Sequence, residues 1–131
     1  MAPDRDVAQD KPFSPLRFSF KYLDTAHPAF DMRRCSAGYY VRLLQRLRDL
    51  SGLTVGEFRM RRSKATRVHR IDFADDPVSV RSFGVRGVPA DERAWQFSVS
   101  ANEHGRVHGF LMGDTFFIRW LDPEHNLYGR N

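Results

Sequence analysis

Three of the chain's five histidines, His104, His108 and His125, fall in its last third, between Trp95 and Tyr128. In that stretch Arg106, His108 and Arg119 alternate with large apolar residues. A titratable ring among guanidiniums could serve acid–base chemistry or anion binding, or be plain structure. His125 and Tyr128 follow in a polar tail closed off by Asp122-Pro123. The spacing of His104, His108 and His125 is not a known ligand pattern, and the single cysteine, Cys35, supplies no thiolate set, so no metal and no cofactor are expected. No phosphate-cradling glycine loop or nucleophile elbow occurs. His27, before Pro28, reads as a loop residue.

The charge narrows the partners. The chain carries 21 basic against 16 acidic residues, a net charge of +5. Eleven of the basic residues lie from Arg33 to Arg70, among them Arg61, Arg62, Lys64 and Arg67, against only Asp49 and Glu57. Arginine forks phosphate better than lysine does, so nucleic acid or an acidic protein is the expected partner. No run of 18 apolar residues is present, and the first residues form no apolar leader, so a cytoplasmic protein without a membrane segment is expected.

The elements that must position these residues can be read in order. Residues 1–15 form a polar, proline-containing lead-in, and 16–131 a single domain. Leu16–Asp24 alternates as a strand. Ser36 caps a helix whose apolar stripe is Tyr40, Leu43, Leu44, Leu47 and Leu50, stopped by Gly52. Thr54 and Glu57 have capping-box spacing, which predicts a second helix over Val55–Arg62 with Met60 turned inward. Arg67–Phe73 alternates as a second strand, and Val78–Phe83 could add a short one.

The final stretch is a three-stranded meander. Trp95, Phe97 and Val99 face one way, and Gln96, Ser98 and Ser100 the other. Gly105 serves a first turn, whose three-residue form would align Val99 with Val107. Gly113-Asp114 makes the second turn and sets Met112 opposite Thr115, Phe110 opposite Phe117 and His108 opposite Arg119. Val107, Leu111, Phe116, Ile118 and Trp120 then form the core face. Arg106, His108, Phe110, Phe117 and Arg119 form an open, basic, aromatic-edged face. The expected fold is α+β, an antiparallel sheet of four to five strands packed on an N-terminal helix hairpin.

From Trp95 onward the chain resembles the C-terminal half of the RelE/YoeB/ParE toxin superfamily. The matching run is Trp95, then Asn102-Glu103-His104-Gly105-Arg106, then Phe116–Trp120, then His125 and Tyr128. The upstream order of strand, basic helix hairpin and basic strand is similar too, so the resemblance spans Leu16 to Tyr128. It implies a metal-free endoribonuclease acting on messenger RNA, free or on the ribosome, with an acidic antitoxin as partner. Under it Arg106 would hold the phosphate, His125 would be acid or base, and Tyr128 would hydrogen-bond or stack on a base. Lys64, Arg67 and His69 would bind RNA or assist proton transfer. No glutamate stands between Glu57 and Asp72, where YoeB-like members keep their base, so that role passes to His69, His108 or Asp72. His125 and Tyr128 are three apart rather than adjacent, and residues 74–94 are longer than the family's connection. The other reading of the same residues is a non-catalytic accessory or defence protein whose basic face binds RNA, DNA or an acidic partner.

Overall fold

The computed structural model describes residues 11–61, 63, 66–74, 76–88, 93–101 and 104–128. Strand β1 (Arg17–Ser19) is followed by a 3-10 turn at Met32–Arg34, helix α1 (Ala37–Leu50) and helix α2 (Val55–Arg59). Strands β2 (His69–Arg70), β3 (Ala94–Ser98), β4 (Arg106–Met112) and β5 (Thr115–Asp122) complete the chain. The fold is α+β, with one five-stranded sheet in the order β1-β5-β4-β3-β2.

The sheet is mixed rather than wholly antiparallel. β1 joins β5 in parallel, Arg17 opposite Thr115 and Phe18 opposite Phe116. No short turn links these two strands, so nothing local dictates an antiparallel pairing. The other three pairings are antiparallel.

The Ser36 hydroxyl accepts from the Tyr39 amide and starts α1. Its buried stripe is Tyr39, Leu43, Leu47 and Leu50. The expected stripe was one position off at its start: Tyr40 is half-buried, its hydroxyl donating to Met32 O, and Leu44 is exposed. Thr54 and Glu57 form the full capping box, but α2 ends at Arg59 and Met60 points out. In place of the expected helix hairpin stand one long helix and a helix of a turn and a half. α1 and α2 cover the first face of the sheet. There Val55 and Phe58 meet Trp95, Phe97, Val107, Phe116 and Ile118.

The second face departs most from the sequence reading. It is a second core, not an open surface. Phe30, Ile71, Phe73, Phe83 and Leu127 pack on it against Ala94, Phe110 and Trp120. The irregular segments before α1 and after β2, with the C-terminal tail, lie over it.

Trp120 reaches that face through a β-bulge. The Gly113 turn, at φ 64°, sets Met112–Thr115 and Phe110–Phe117 as expected. Between His108 and Gly109 the register then slips by one residue, so His108 faces Trp120 and not Arg119. The slip turns Trp120 onto the second face and leaves Leu121 on the first. Gly109 is needed there, because a methyl group would collide with Phe117 O and the Phe116 ring. The first connection is also longer than expected. Phe97, not Val99, lies opposite Val107, and His104 and Gly105 take φ 66° and 69°. Val78 contributes one bridge, to Tyr128, rather than a strand.

Candidate functional site

The polar residues of the second face gather at the end where β3 passes to β4. Gln96 lies opposite His108, and Ser98 opposite Arg106. On the outer side of β3, His69 of β2 lies opposite Gln96. The Ser98 amide donates to Thr66 O at 2.7 Å, which brings the backbone just before Arg67 alongside β3. Arg67 itself holds φ 47°, a left-handed conformation that non-glycine residues seldom adopt and that recurs at functional positions.

Two arginines meet electrostatically at this end. Arg106 is half-buried, and its Nη1 donates to Gly105 O at 3.3 Å. Burial, and then the charge of Arg67, pull its guanidinium below the usual arginine value, while Asp122 works weakly the other way. Two cations thus act on each other at this end, one of them partly desolvated.

The imidazoles differ sharply. His69 Nδ1 is 3.0 Å from Arg70 O and Nε2 is 2.8 Å from Gln96 Nε2. A carbonyl oxygen only accepts and an amide nitrogen only donates, so neutral His69 carries its proton on Nδ1. His108 is fully buried. Its Nε2 donates to Asp122 Oδ2 at 2.8 Å. Burial drives its pKa down, against the pull of the Asp122 hydrogen bond, so it is neutral. Burial alone would raise the Asp122 carboxyl, but His108 and the Asn126 and Leu127 amides together hold it below its ordinary value. This pair is a lock that ties the tail to β5, not an open acid–base pair.

Tyr128 lies near His69, ring centroids 6.3 Å apart. Its hydroxyl donates to Asp76 Oδ2 at 3.2 Å. Burial first, then the Asp76 charge, push its pKa well above the usual tyrosine value, so the phenol keeps its proton.

The remaining candidates lie elsewhere. Arg119 does not join Arg106 and His108. At the bulge its Nε donates to Phe83 O and its Nη1 to Tyr22 O, and Nη2 pairs with Asp24 at 3.7 Å. It clamps the segments that cover the second face. His125 sits in the turn after β5, at φ 59°, rather than on the sheet face. Arg61 is exposed beyond α2, and its carbonyl accepts from Val68 N and Thr66 Oγ1. Arg62 and Lys64 lie outside the described residues.

Sequence reasoning missed Gln96, Ser98 and Asp122, all buried polar groups. It read the first two as facing solvent and the third as a strand stop. It also missed a groove of about 410 Å³ lined by Arg42, Gln45, Arg46, Arg48 and Asp49 of α1 against Val99–Ala101. Arg46 Nε donates to Ser98 O at 2.9 Å, so this basic groove and the Arg106 cluster share one β3 residue.

Among the described residues no three His, Cys, Asp or Glu side chains group to hold a metal, and no helix is long and apolar enough to cross a membrane. Comparisons with protein-family models, with curated proteins and with solved structures returned no match.

Proposed function

We propose that this protein acts on RNA, gripping a phosphodiester between Arg67 and Arg106, and that it is a metal-free endoribonuclease of the RelE/YoeB kind. The observation that carries the reading is the convergence of Arg106, opposite Ser98, and Arg67, next to the Thr66 carbonyl that the Ser98 amide bonds, with the half-buried Arg106 guanidinium lowered by burial first and by the Arg67 charge second. In the cleavage proposed, the RNA 2′-oxygen attacks phosphorus as its proton passes to a base. The bond to the 5′-oxygen breaks as that oxygen takes a proton from an acid. The products are a 2′,3′-cyclic phosphate and a 5′-hydroxyl.

The arginines would stabilise the charge that builds on the phosphoryl oxygens. His69, once its Nε2 exchanges Gln96 for the 2′-hydroxyl, would serve as base. Tyr128, whose phenol holds its proton, would donate. Arg61 and the α1 groove, with the neighbouring Arg62 and Lys64, would extend the grip along the strand. An acidic antitoxin and the ribosome are the partners this reading carries, in the cytoplasm.

A second reading, RNA binding without cleavage, is favoured by one observation: both His69 nitrogens are engaged, and His108 is sealed from solvent. The two separate in one experiment. RNA is incubated with the protein and a chelator, and the product ends are identified. Cleavage with cyclic-phosphate ends, lost in Arg106→Ala and in His69→Ala, is the expected result. Salt-dependent binding with intact RNA establishes the second reading, and neither binding nor cleavage removes both.

A further inference from the structure

Besides Ser98 Oγ, two buried atoms of the cluster lack hydrogen-bond partners, Gln96 Oε1 and His108 Nδ1. They belong to residues directly opposed across β3 and β4, on the same face. Directly opposed side chains stand close enough to bond. His108 gives its proton to Asp122 through Nε2, so its Nδ1 is a bare lone pair. Gln96 gives its NH2 to His69 Nε2, which leaves its carbonyl oxygen on the inner side. Each atom wants a donor, and neither has one. Burial makes two such unmet groups costly.

The two ends of a glutamine amide have the same shape. Turned over, Gln96 would present Oε1 to His69 Nε2 and its NH2 toward the opposed His108 Nδ1, which offers each orphan a partner of the right kind. The turn has one requirement. His69 Nδ1 still donates to Arg70 O, so an Nε2 that donates to Gln96 makes the ring an imidazolium.

We infer that Gln96 is a positioning residue with two settings, one for neutral and one for charged His69. In the second setting Asp122, His108, Gln96 and His69 form one hydrogen-bonded chain across β5, β4, β3 and β2. The buried carboxylate at one end then supports the cation at the other through two neutral links. Charged His69 would stand as a third cation beside Arg67 and Arg106. The other titratable groups facing this chain are Arg106 on β4 and Tyr128 of the tail, with Asp76 behind the phenol. Arg70 follows His69 on β2, and Arg67 lies just before that strand. The inference shares His69 with the proposed RNA site, but its readout needs no RNA, so either can fail without the other.

The test is a nitrogen-15 NMR titration of the uniformly labelled protein, following the imidazole nitrogens of His69 and His108 and the Gln96 side-chain amide. The expected result is a single transition. As His69 charges, the Gln96 amide resonances move with the same midpoint, and His108 Nδ1 takes the shift of a nitrogen accepting a hydrogen bond while staying unprotonated. In Gln96→Leu, His69 still titrates but His108 Nδ1 does not respond. In Gln96→Glu, which can accept from His69 but cannot donate to His108, the response is also lost. The inference is overturned if His69 charges in the unmodified protein while Gln96 and His108 Nδ1 stay still, a result that requires no variant to fold. A His108 response that survives Gln96→Leu overturns it equally.

Discussion

Replacing Asp122 by alanine should remove the tie that holds the C-terminal tail over the second core. The carboxylate accepts from His108 Nε2 at 2.8 Å, from the Asn126 amide at 2.7 Å and from the Leu127 amide at 3.0 Å. His108 and Leu127 are completely buried, so water cannot replace the lost acceptor without opening the structure. Each orphaned donor costs about 1–3 kcal/mol, and Asn126, half-exposed, recovers part of its loss. The sum is about 3–5 kcal/mol. A domain of this size has a total stability of about 5–15 kcal/mol, so the variant should be barely folded at 37 °C. Asp122→Asn keeps one acceptor oxygen and should lose about half as much. Urea unfolding followed by tryptophan emission is the assay, since Trp120 lies in the core that the tail seals. An Asp122→Ala protein within about 1 kcal/mol of the parent, at equal urea dependence, would refute this account of the tail.

Further outcomes follow from the same contacts. The folded-state pKa of His108 lies below its ordinary value of 6.5, so its contribution is complete above pH 6.5 and is lost as pH falls below that. Stability should therefore drop from about pH 6.5 downward, with a further loss below the ordinary Asp122 value of 3.8, and His108→Leu should flatten the first drop in urea titrations at several pH values. Gly109→Ala should destabilise by about 3 kcal/mol or more, because the colliding Phe117 carbonyl is backbone and cannot swing away. Gly87→Ala, with open space around it but φ +82°, should cost only about 1–2 kcal/mol in the same assay. Arg119→Met should cost about 2–3 kcal/mol by freeing Tyr22 O and Phe83 O, and amide exchange should rise in both covering segments.

How far the sequence carried the fold depended on whether each signal was local. The Gly113-Asp114 turn specified its own pairings correctly, and the capping residues Ser36 and Thr54 started their helices where expected. The bulge at Arg119 carries no such mark, and a one-residue slip moves every later side chain to the other face. Trp120 was misplaced for that reason. The alternation of Gln96, Ser98, Arg106 and His108 was read as a solvated face because alternation reports two environments without saying that both are buried. What covers the second face comes from residues far away in sequence, such as Phe30, Phe83 and Leu127. At the candidate site, Arg106, Arg67 and His69 were named through the resemblance. Gln96 and Asp122 were missed, since an amide on a strand and an aspartate before proline have common structural explanations.

The most direct test of the central claim is the salt dependence of RNA binding, measured by fluorescence anisotropy on a short single strand. Arg67→Ala, Arg106→Ala and the double variant are compared with the parent, each first shown to unfold at the parent's urea midpoint. If these arginines hold a phosphodiester, each single variant weakens binding at every salt concentration and lowers the log–log salt slope by about one phosphate contact, and the double variant lowers it by about two. Unchanged affinity and slope in the double variant would contradict the claim that this end of the sheet binds RNA.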